Sequence, residues 1–402
     1  MTMRLPMTVG EGATRPGPGV AGLALAVQFV CLLDFMAVLP LGADLARALG
    51  FPAARAGALS LAYTAGSVLA GLVALGRLDR HARRPALVAC LAGFALATFA
   101  SACSNGFGGL LAARALTGLC AGPSMALAMA VLIDHTPPQA RGRAIGRAMT
   151  AFPLAVVLGV PASLEAARWG DWRTPLLVLT ALAATVTLLA WRVTPPGAAP
   201  ADAAVSARTL LARPAVRLAC ALQGAAAFST FLVVPQYSAW LLLNLGFPRD
   251  RLGLLYTAGG VGALLAVRGL GALADRIGAA RAALIGSGGF VAGLAVFGAQ
   301  GAGWPAWAVL PPFVALMAGN AARNVCLGAA TSHVPSPRER AGFMSLQGLA
   351  QDAGMGLAAG AGCLLLGEDA AGRLTGALPL AALAGTIALL LPWWMTRLPR
   401  PA

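Results

Sequence analysis

The sequence has very few charged residues for its length. Charged side chains make up 11% of the 402 residues, whereas a soluble globular domain carries about a quarter. Hydrophobic residues make up 58%, and glycine, which transmembrane helices use for close packing, occurs 50 times. One crossing of a bilayer needs about 20 apolar residues. The composition therefore excludes an ordinary soluble domain and predicts an all-α membrane protein with about twelve transmembrane helices.

Lysine is absent, and all 29 basic residues are arginine. A net charge of +15 would favour nucleic acid binding in a soluble protein, but here the arginines lie mostly between apolar runs. Loops on the same side of the membrane as the N-terminus hold well over twice as many arginines as loops on the opposite side. The positive-inside rule then places both termini in the cytoplasm. We expect a multi-pass protein of the bacterial cytoplasmic membrane, embedded in lipid and without a nucleic acid partner.

The sequence also lacks the patterns that carry enzyme chemistry. It contains no phosphate-binding glycine loop, no cluster of metal ligands and no nucleophile elbow. Its three histidines, His81, His135 and His333, fall in predicted loops, and its seven cysteines lie in apolar runs as small buried side chains. We therefore predict neither an enzyme nor a cofactor, and keep a membrane-embedded enzyme or sensor as the third alternative.

The apolar runs form two groups of six predicted helices. The N-terminal six-helix bundle is predicted over 20–191 and the C-terminal one over 216–396, with cytoplasmic tails at 1–19 and 397–402. The Pro- and Ala-rich segment 192–215 is predicted to be a cytoplasmic linker between them. The predicted helices are 20–42, 57–76, 86–104, 108–133, 144–166, 174–191, 216–239, 253–274, 282–300, 307–331, 342–366 and 377–396.

A short motif occurs once in each half of the chain. Asp79-Arg80 follows the second predicted helix, and Asp275-Arg276 follows the eighth, about half the chain further on. The segments after helices 4 and 10 also match each other. Two parallel halves related by an axis along the membrane normal are a known plan of secondary transporters.

These motifs resemble those of the major facilitator superfamily. The loop motif of that family runs Gly-x-Leu-Ala-Asp-Arg-x-Gly-Arg-Arg, and the stretch from Gly271 to Gly278 matches every defined position in its first part. Arg114, followed four residues later by Gly118, is similar to the family's motif in helix 4. The chain looks most like the bacterial twelve-helix drug:proton antiporters, near their sugar-efflux and arabinose-efflux-like members. The resemblance implies two bundles around a central cavity, a small-molecule substrate and protons as the coupling ion, and we expect a monomer.

Ionisable side chains within the predicted helices are candidates for function, because a charge in the hydrocarbon region is costly unless it is paired or hydrated. Asp34 and Arg114 reach similar depths, so we predict a proton-coupling pair, with a purely structural ion pair as the alternative. Arg323 and Asp352 form a second candidate pair for protons or substrate, with an internal hydrogen-bond network as the alternative. We expect Arg268 and Glu165 to reach the membrane surfaces. The complete set is Asp34, Arg114, Glu165, Arg268, Arg323 and Asp352.

The repeated loop motif supplies a candidate conformational latch. Carboxylates beside guanidinium groups at the same end of two bundles can bond across the halves and release when that end opens. The alternative is that the arginines only set the topology. The latch residues are Asp79, Arg80, Arg83, Arg84, Asp275 and Arg276.

Several uncharged residues are candidates for substrate contact, with plain packing as the alternative. We predict a secondary transporter that exports a small organic molecule in exchange for protons by alternating access. Uptake or exchange of an anionic metabolite, whose carboxylate Arg114 and Arg323 would hold, is the alternative. The contact candidates are Phe35, Met36, Gln223, Thr230, Gln236 and Tyr237.

Overall fold

Twelve membrane-spanning segments make up most of the described chain in the computed structural model. The structure describes residues 18–74, 82–137, 140–195, 207–299, 304–336 and 339–399. Ten segments are single helices: α1 (Pro18–Val38), α3 (Gly57–Ala74), α4 (Arg83–Ala102), α5 (Phe107–Asp134), α9 (Arg173–Val193), α13 (Leu252–Ile277), α14 (Ala279–Leu294), α15 (Ala306–Thr331), α16 (Arg340–Leu365) and α17 (Ala377–Met395). The fifth segment combines α6 (Arg141–Met149), α7 (Ala151–Leu154) and α8 (Val160–Trp169), and the seventh combines α11 (Pro214–Phe231) and α12 (Val234–Leu243). Shorter elements between segments are α2 (Gly42–Leu49), α10 (Ala207–Ala212) and the antiparallel strands β1 (Gly367–Glu368) and β2 (Leu374–Thr375).

Eleven of the segments are long and apolar enough to cross a bilayer. The remaining one, α16, is 26 residues long but carries Gln347, Gln351 and Asp352. The prediction of an all-α protein with twelve transmembrane helices in two bundles is confirmed. The first predicted helix, 20–42, extends too far, because Pro40 has no N–H to donate and disfavours a helical residue before it. The predicted linker contains α10, and its residues 196–206 lie outside the described chain.

The same pairs of helices pack together in each half. In the N-terminal half α5 packs against α1, α3 and α4, and in the C-terminal half α15 packs against α11, α13 and α14. Gly118 shows how close this packing is, since a Cβ added there would lie 1.8 Å from the Tyr63 carbonyl oxygen. The halves meet along two seams, where α3 packs against α16 and where α13 packs against the fifth segment.

Proline explains the irregular geometry of the fifth and seventh segments. The proline ring clashes with the carbonyl four residues earlier and removes a hydrogen bond. Before Pro161 the fifth segment widens into a π-helical turn, Ala155–Gly159, and before Pro235 the seventh segment breaks between α11 and α12. The π turn faces α13, where a Cβ added to Gly260 would lie 2.7 Å from a methyl group of Val157.

The two ends of the bundle carry different connections. One end carries α2, the β1–β2 ribbon and the 3-10 turns Ala53–Arg55 and Arg249–Arg251, and we call it the hairpin end. The opposite end carries α10, which belongs to the predicted linker, and we call it the linker end. The distribution of arginines predicts that the linker end faces the cytoplasm.

Candidate functional site

A buried ion pair joins α1 to α5 in the N-terminal half. Arg114 Nη1 donates to Asp34 Oδ2 at 2.7 Å, and Arg114 Nη2 reaches the Asp34 backbone oxygen at 3.5 Å. The two side chains are 1% and 0% exposed. The predicted similarity in depth is therefore matched by direct contact, and the pair is sealed from solvent in this conformation.

Polar and aromatic groups complete the surroundings of this pair. The Thr98 hydroxyl donates to Asp34 Oδ1 at 3.3 Å, and the Arg114 guanidinium carbon lies 4.9 Å from the centre of the Tyr63 ring. The Phe35 ring lies between two other rings. Its centroid is 4.9 Å from that of Tyr63 and 5.6 Å from that of Phe231 on α11. A row of three rings thus runs from the ion pair to the C-terminal half and shields the charges on one side.

Arg323 is the second fully buried arginine, but its partners are neutral. In the part of the chain that the structure describes, it forms no ion pair within 4.0 Å. Its guanidinium carbon lies 4.6 Å from the centre of the Phe290 ring, a favourable cation–π contact. Its hydrogen-bond acceptors are Ser229 Oγ (3.2 Å), the Ala226 carbonyl (3.3 Å), Thr230 Oγ1 (2.8 Å) and Asn320 Oδ1 (3.2 Å).

The predicted pairing of Arg323 with Asp352 is wrong. Asp352 accepts a 2.5 Å hydrogen bond from Ser67 on α3, across the seam between the halves. Arg323 takes its partners from α11, from Phe290 on α14 and from its own helix, whereas Asp352 faces α3. Consecutive helices therefore carry the two side chains to different neighbours. Beside Asp352, the Gln223 side chain donates to Gln351 at 2.7 Å.

An apolar pocket lies between the halves, towards the hairpin end from the ion pair. None of its ten lining residues carries a charge, and its polar groups include the Tyr256 hydroxyl, which lies 2.7 Å from Ser238 Oγ. Met36 and Tyr237, two of the predicted contact residues, lie in its wall. The lining residues are Met36, Leu39, Val156, Val160, Val234, Tyr237, Tyr256, Phe313, Leu316 and Met317.

The latch residues that the structure describes make contacts within their own half or are exposed. Arg83 pairs with Asp134 at 3.3 Å, and the Arg84 guanidinium carbon lies 4.4 Å from the Trp191 ring centre. Asp275 and Arg276 are exposed at the end of α13. Asp79 and Arg80 lie outside the described residues, so the latch stays a prediction.

The remaining ionisable candidates lie at the surface. Glu165 pairs with Arg168 at 3.0 Å, and both are about half exposed, while Arg268 is exposed on α13. Within the described ranges no three His, Cys, Asp or Glu side chains are grouped as metal ligands.

Sequence reasoning missed Tyr63, Thr98 and Ser67. A signal existed for the first, since the chain has only three tyrosines and all three are buried near the ion pair or the pocket. Small hydroxyl residues such as Thr98 and Ser67 carry no comparable signal, because most of those in these helices bond only to their own backbone, as Thr117 does.

Comparison with known proteins decides the family. Residues 24–359 match the model of the Major Facilitator Superfamily. The chain belongs to this family. It is therefore, as predicted, a multi-pass membrane protein of a family of transporters and not an enzyme.

Relatives of this Major Facilitator Superfamily chain match parts of its sequence. A chloramphenicol resistance protein of Streptomyces lividans is 28% identical over 151 residues, which are 38% of each chain. An uncharacterised transporter of the family from Bacillus subtilis is 32% identical over 148 residues, which are 36% of this chain and 35% of the other. The chain thus aligns with little more than a third of the length of each relative.

Solved structures share the fold over nearly the whole chain. The nucleoside transporter NupG superposes with a TM-score of 0.73 at 12% identity, covering 95% of this chain and 99% of that one. A D-xylose-proton symporter gives a TM-score of 0.71 at 16% identity, covering 95% and 98%. A bacterial homologue of the lysosomal transporter Spinster, inward-facing and unoccupied, gives 0.70 at 16% identity, covering 96% and 99%. At these identities the likeness establishes the fold alone.

Proposed function

We propose that this transporter exports a small, largely apolar organic molecule from bacteria in exchange for protons, as the drug:proton antiporters that it resembles do. The observation that carries the proposal is the uncharged pocket between the halves, which lies beside the buried Asp34–Arg114 pair. The partial similarity to a chloramphenicol resistance protein supports export of such a molecule.

The pocket favours an apolar substrate over an anionic one. Its wall consists of aliphatic, aromatic and methionine side chains, and Met36 and Met317 can adapt to different shapes. A carboxylate buried against such a wall would lose its hydration without gaining a charged partner. A substrate with an aromatic or aliphatic body and few charges therefore matches this wall best, and the pocket, about 30 Å³ in this conformation, must widen to hold it.

In this proposal Asp34 carries the proton. Met36 in the pocket wall lies two residues after Asp34 on α1, and Phe35 between them contacts the Tyr63 ring that covers Arg114. Substrate that moves this part of α1 changes the contact between Asp34 and Arg114. A buried carboxylate separated from its arginine takes up a proton, because burial disfavours the charged form.

The second candidate function is uptake or exchange of an anionic metabolite. The observation that favours it is the Arg323 charge, which is buried against neutral acceptors only in the described chain. A substrate carboxylate would supply the missing opposite charge.

Transport by purified protein in proteoliposomes tests both functions. We would compare uncharged aromatic probes, beginning with chloramphenicol, with benzoate-like anions, each with and without an imposed pH gradient. We expect gradient-driven transport of uncharged probes, loss of the gradient dependence in Asp34→Asn and no change in the control Glu165→Gln. Unchanged gradient dependence in Asp34→Asn would remove Asp34 from the mechanism. Transport of anions only, abolished by Arg323→Gln, would establish the second function instead.

We also propose that the linker end faces the cytoplasm. The predicted latch closes the linker end when the hairpin end is open. Protease should cut the 192–215 linker in inside-out vesicles and spare it in intact cells. Cleavage in intact cells would show that the orientation is the reverse of the one proposed.

The latch is tested by two substitutions. Asp79→Asn and Asp275→Asn should slow transport at unchanged expression. Native transport rates in both variants would leave these loops a role in topology alone.

A further inference from the structure

An exposed tryptophan ends the outer apolar surface of each half at the linker end. On α9, Leu188 (51% exposed) is followed three residues later by Trp191 (53% exposed). On α17, Leu390 (42% exposed) is followed three residues later by Trp393 (54% exposed). These helices are the last of their halves, so the same arrangement occurs twice. Tryptophan at the end of a lipid-facing surface lies at the level of the lipid headgroups.

A guanidinium group stacks on each of these rings. The Arg84 guanidinium carbon lies 4.4 Å from the Trp191 ring centre, and that of Arg397 lies 4.1 Å from the Trp393 ring centre. Arg84 belongs to α4, which packs against α9, whereas Arg397 follows α17 itself. Stacking holds the guanidinium plane in place and leaves its N–H donors available to a ligand.

The protein does not compensate the charge of these two arginines. Among the described residues neither Arg84 nor Arg397 forms an ion pair within 4.0 Å, and the buried Arg84 Nε has no hydrogen-bond acceptor. Two further exposed arginines lie at the same end, Arg192 directly after Trp191 and Arg281 in the first turn of α14, which packs against α17. The two ring sites therefore offer donors and positive charge for which the described chain supplies no anion.

The hairpin end provides a contrast. There the Arg173 guanidinium carbon lies 4.5 Å from the Trp172 ring centre, but Arg173 also pairs with Asp171 at 3.2 Å. Trp172 is buried, so this contact is complete within the protein. The most exposed tryptophans at that end, Trp169 and Trp307, have no guanidinium against their rings in the described chain. An uncompensated arginine on an exposed ring is thus confined, within the described ranges, to the linker end.

We propose that each ring site binds the headgroup of an anionic phospholipid. The phosphate accepts hydrogen bonds from the stacked guanidinium, and the acyl chains lie against the leucine side chains next to the ring. A zwitterionic lipid would bring its own cation towards the arginines, so a headgroup with net negative charge is favoured. The sites lie on the outside of the bundle, so they do not depend on the proposed substrate or coupling ion. They give Arg84 a role other than the predicted latch, and counting bound lipid separates the two roles.

Native mass spectrometry of the full-length protein in detergent counts bound lipid. We would titrate the purified protein with phosphatidylglycerol or with phosphatidylcholine of identical acyl chains. The native protein should retain two phosphatidylglycerol molecules under conditions that strip phosphatidylcholine. Glycerol 1-phosphate carries the phosphate without the chains and should fail to displace them. Displacement by it would show a site for soluble phosphate esters and would overturn the lipid site.

Substitutions separate the two sites. Arg84→Gln and Arg397→Gln should each weaken one site by about fivefold and leave one retained lipid, and the double variant should retain none. Trp191→Leu keeps every charge but should also weaken its site, because the guanidinium is no longer held. Arg147→Gln is the matched control, since it removes the same charge from an exposed linker-end arginine that has no ring beside it among the described residues.

Three outcomes would contradict the proposal. Equal retention of the two lipids by the native protein would overturn it. A loss in Arg147→Gln as large as that in Arg84→Gln would also overturn it, because lipid would then respond to net charge alone. Native binding in Trp191→Leu would overturn the role of the ring. None of the substituted side chains is fully buried, so all variants should unfold at the native temperature in lipid-free detergent.

Discussion

Arg114 and Arg323 are the two largest side chains that are fully buried, one in each half, and their charges are compensated differently. Arg114 lies against a carboxylate, so the N-terminal half buries a neutral pair. Arg323 lies against hydroxyl, amide and carbonyl oxygens and a phenyl ring, so its surroundings carry no opposite charge in the described chain. The comparison teaches that the first site contains a carboxylate, which can bind a proton and so change the charge of the site. The second site has only the guanidinium charge, which stays positive.

The largest difference between the two arginines should appear on truncation. Arg114→Ala leaves the Asp34 carboxylate buried without a partner, which should lower the free energy of unfolding by about 3–5 kcal/mol. Denaturant unfolding of the purified protein in detergent measures this loss. The matched control is Arg168→Ala at an exposed pair, which should change little. A loss for Arg114→Ala no larger than the control would show that the pair is not coupled to stability.

Arg323→Met should cost less than Arg114→Ala. It removes a desolvated charge and leaves only neutral acceptors unpaired, so we expect a loss of about 1–3 kcal/mol in the same unfolding experiment. Equal losses for the two arginines would mean that an opposite charge also compensates Arg323, and the comparison would then fail.

A smaller effect should follow when a single neutral partner of the ion pair is removed. Thr98→Val deletes the hydroxyl that donates to Asp34 Oδ1, and a loss of about 1 kcal/mol is expected. Thr180→Val is the control, because the Thr180 hydroxyl bonds only to the Leu176 carbonyl of its own helix. Identical losses would show that Thr98 acts as an ordinary helix residue.

The smallest effect should come from an arginine pair that is open to water. At the linker end Glu339 accepts from the Ser336 N–H at 2.9 Å and from Arg213 at 2.6 Å, and these bonds hold the pKa of its carboxyl below the usual value. A lowered pKa means that the stabilisation is present above the ordinary value and is lost as the pH falls through the lowered one. Thermal unfolding of Glu339→Gln should show a midpoint shift of about a degree at neutral pH that vanishes in acid. A shift that persists in acid would assign the effect to something other than charge.

The segments could be predicted from apolar runs, and the Asp34–Arg114 pair from similar depth on two helices that the family resemblance places at the central cavity. Apolar runs fix where each helix crosses the membrane, and position along the helices puts Asp34 and Arg114 at one level. The partners of Arg323 and Asp352 depend instead on which helices are neighbours and on how each is rotated. The sequence of α16 does not specify that rotation, so the hydrogen bond from Ser67 to Asp352 could not be foreseen.

Irregular backbone could be predicted only in part. The prolines mark where helices must deviate, but whether the chain widens, as before Pro161, or breaks, as before Pro235, depends on the neighbouring helices. The hairpin-end contacts arise from short loops that bring Asp44 and Arg249 together from positions 205 residues apart, and no local pattern encodes that distance.

The π turn in the fifth segment has a mechanical consequence for the seam with α13. Gly260 lies directly against Val157 of this turn, so α13 has no side chain at the point of closest approach. Interdigitated side chains resist the rotation of one helix against another, whereas a glycine backbone packed against a widened turn resists it much less. This contact is therefore suited to act as a pivot between the two halves. Gly260→Leu should block the movement of one half against the other without changing any charge in the protein.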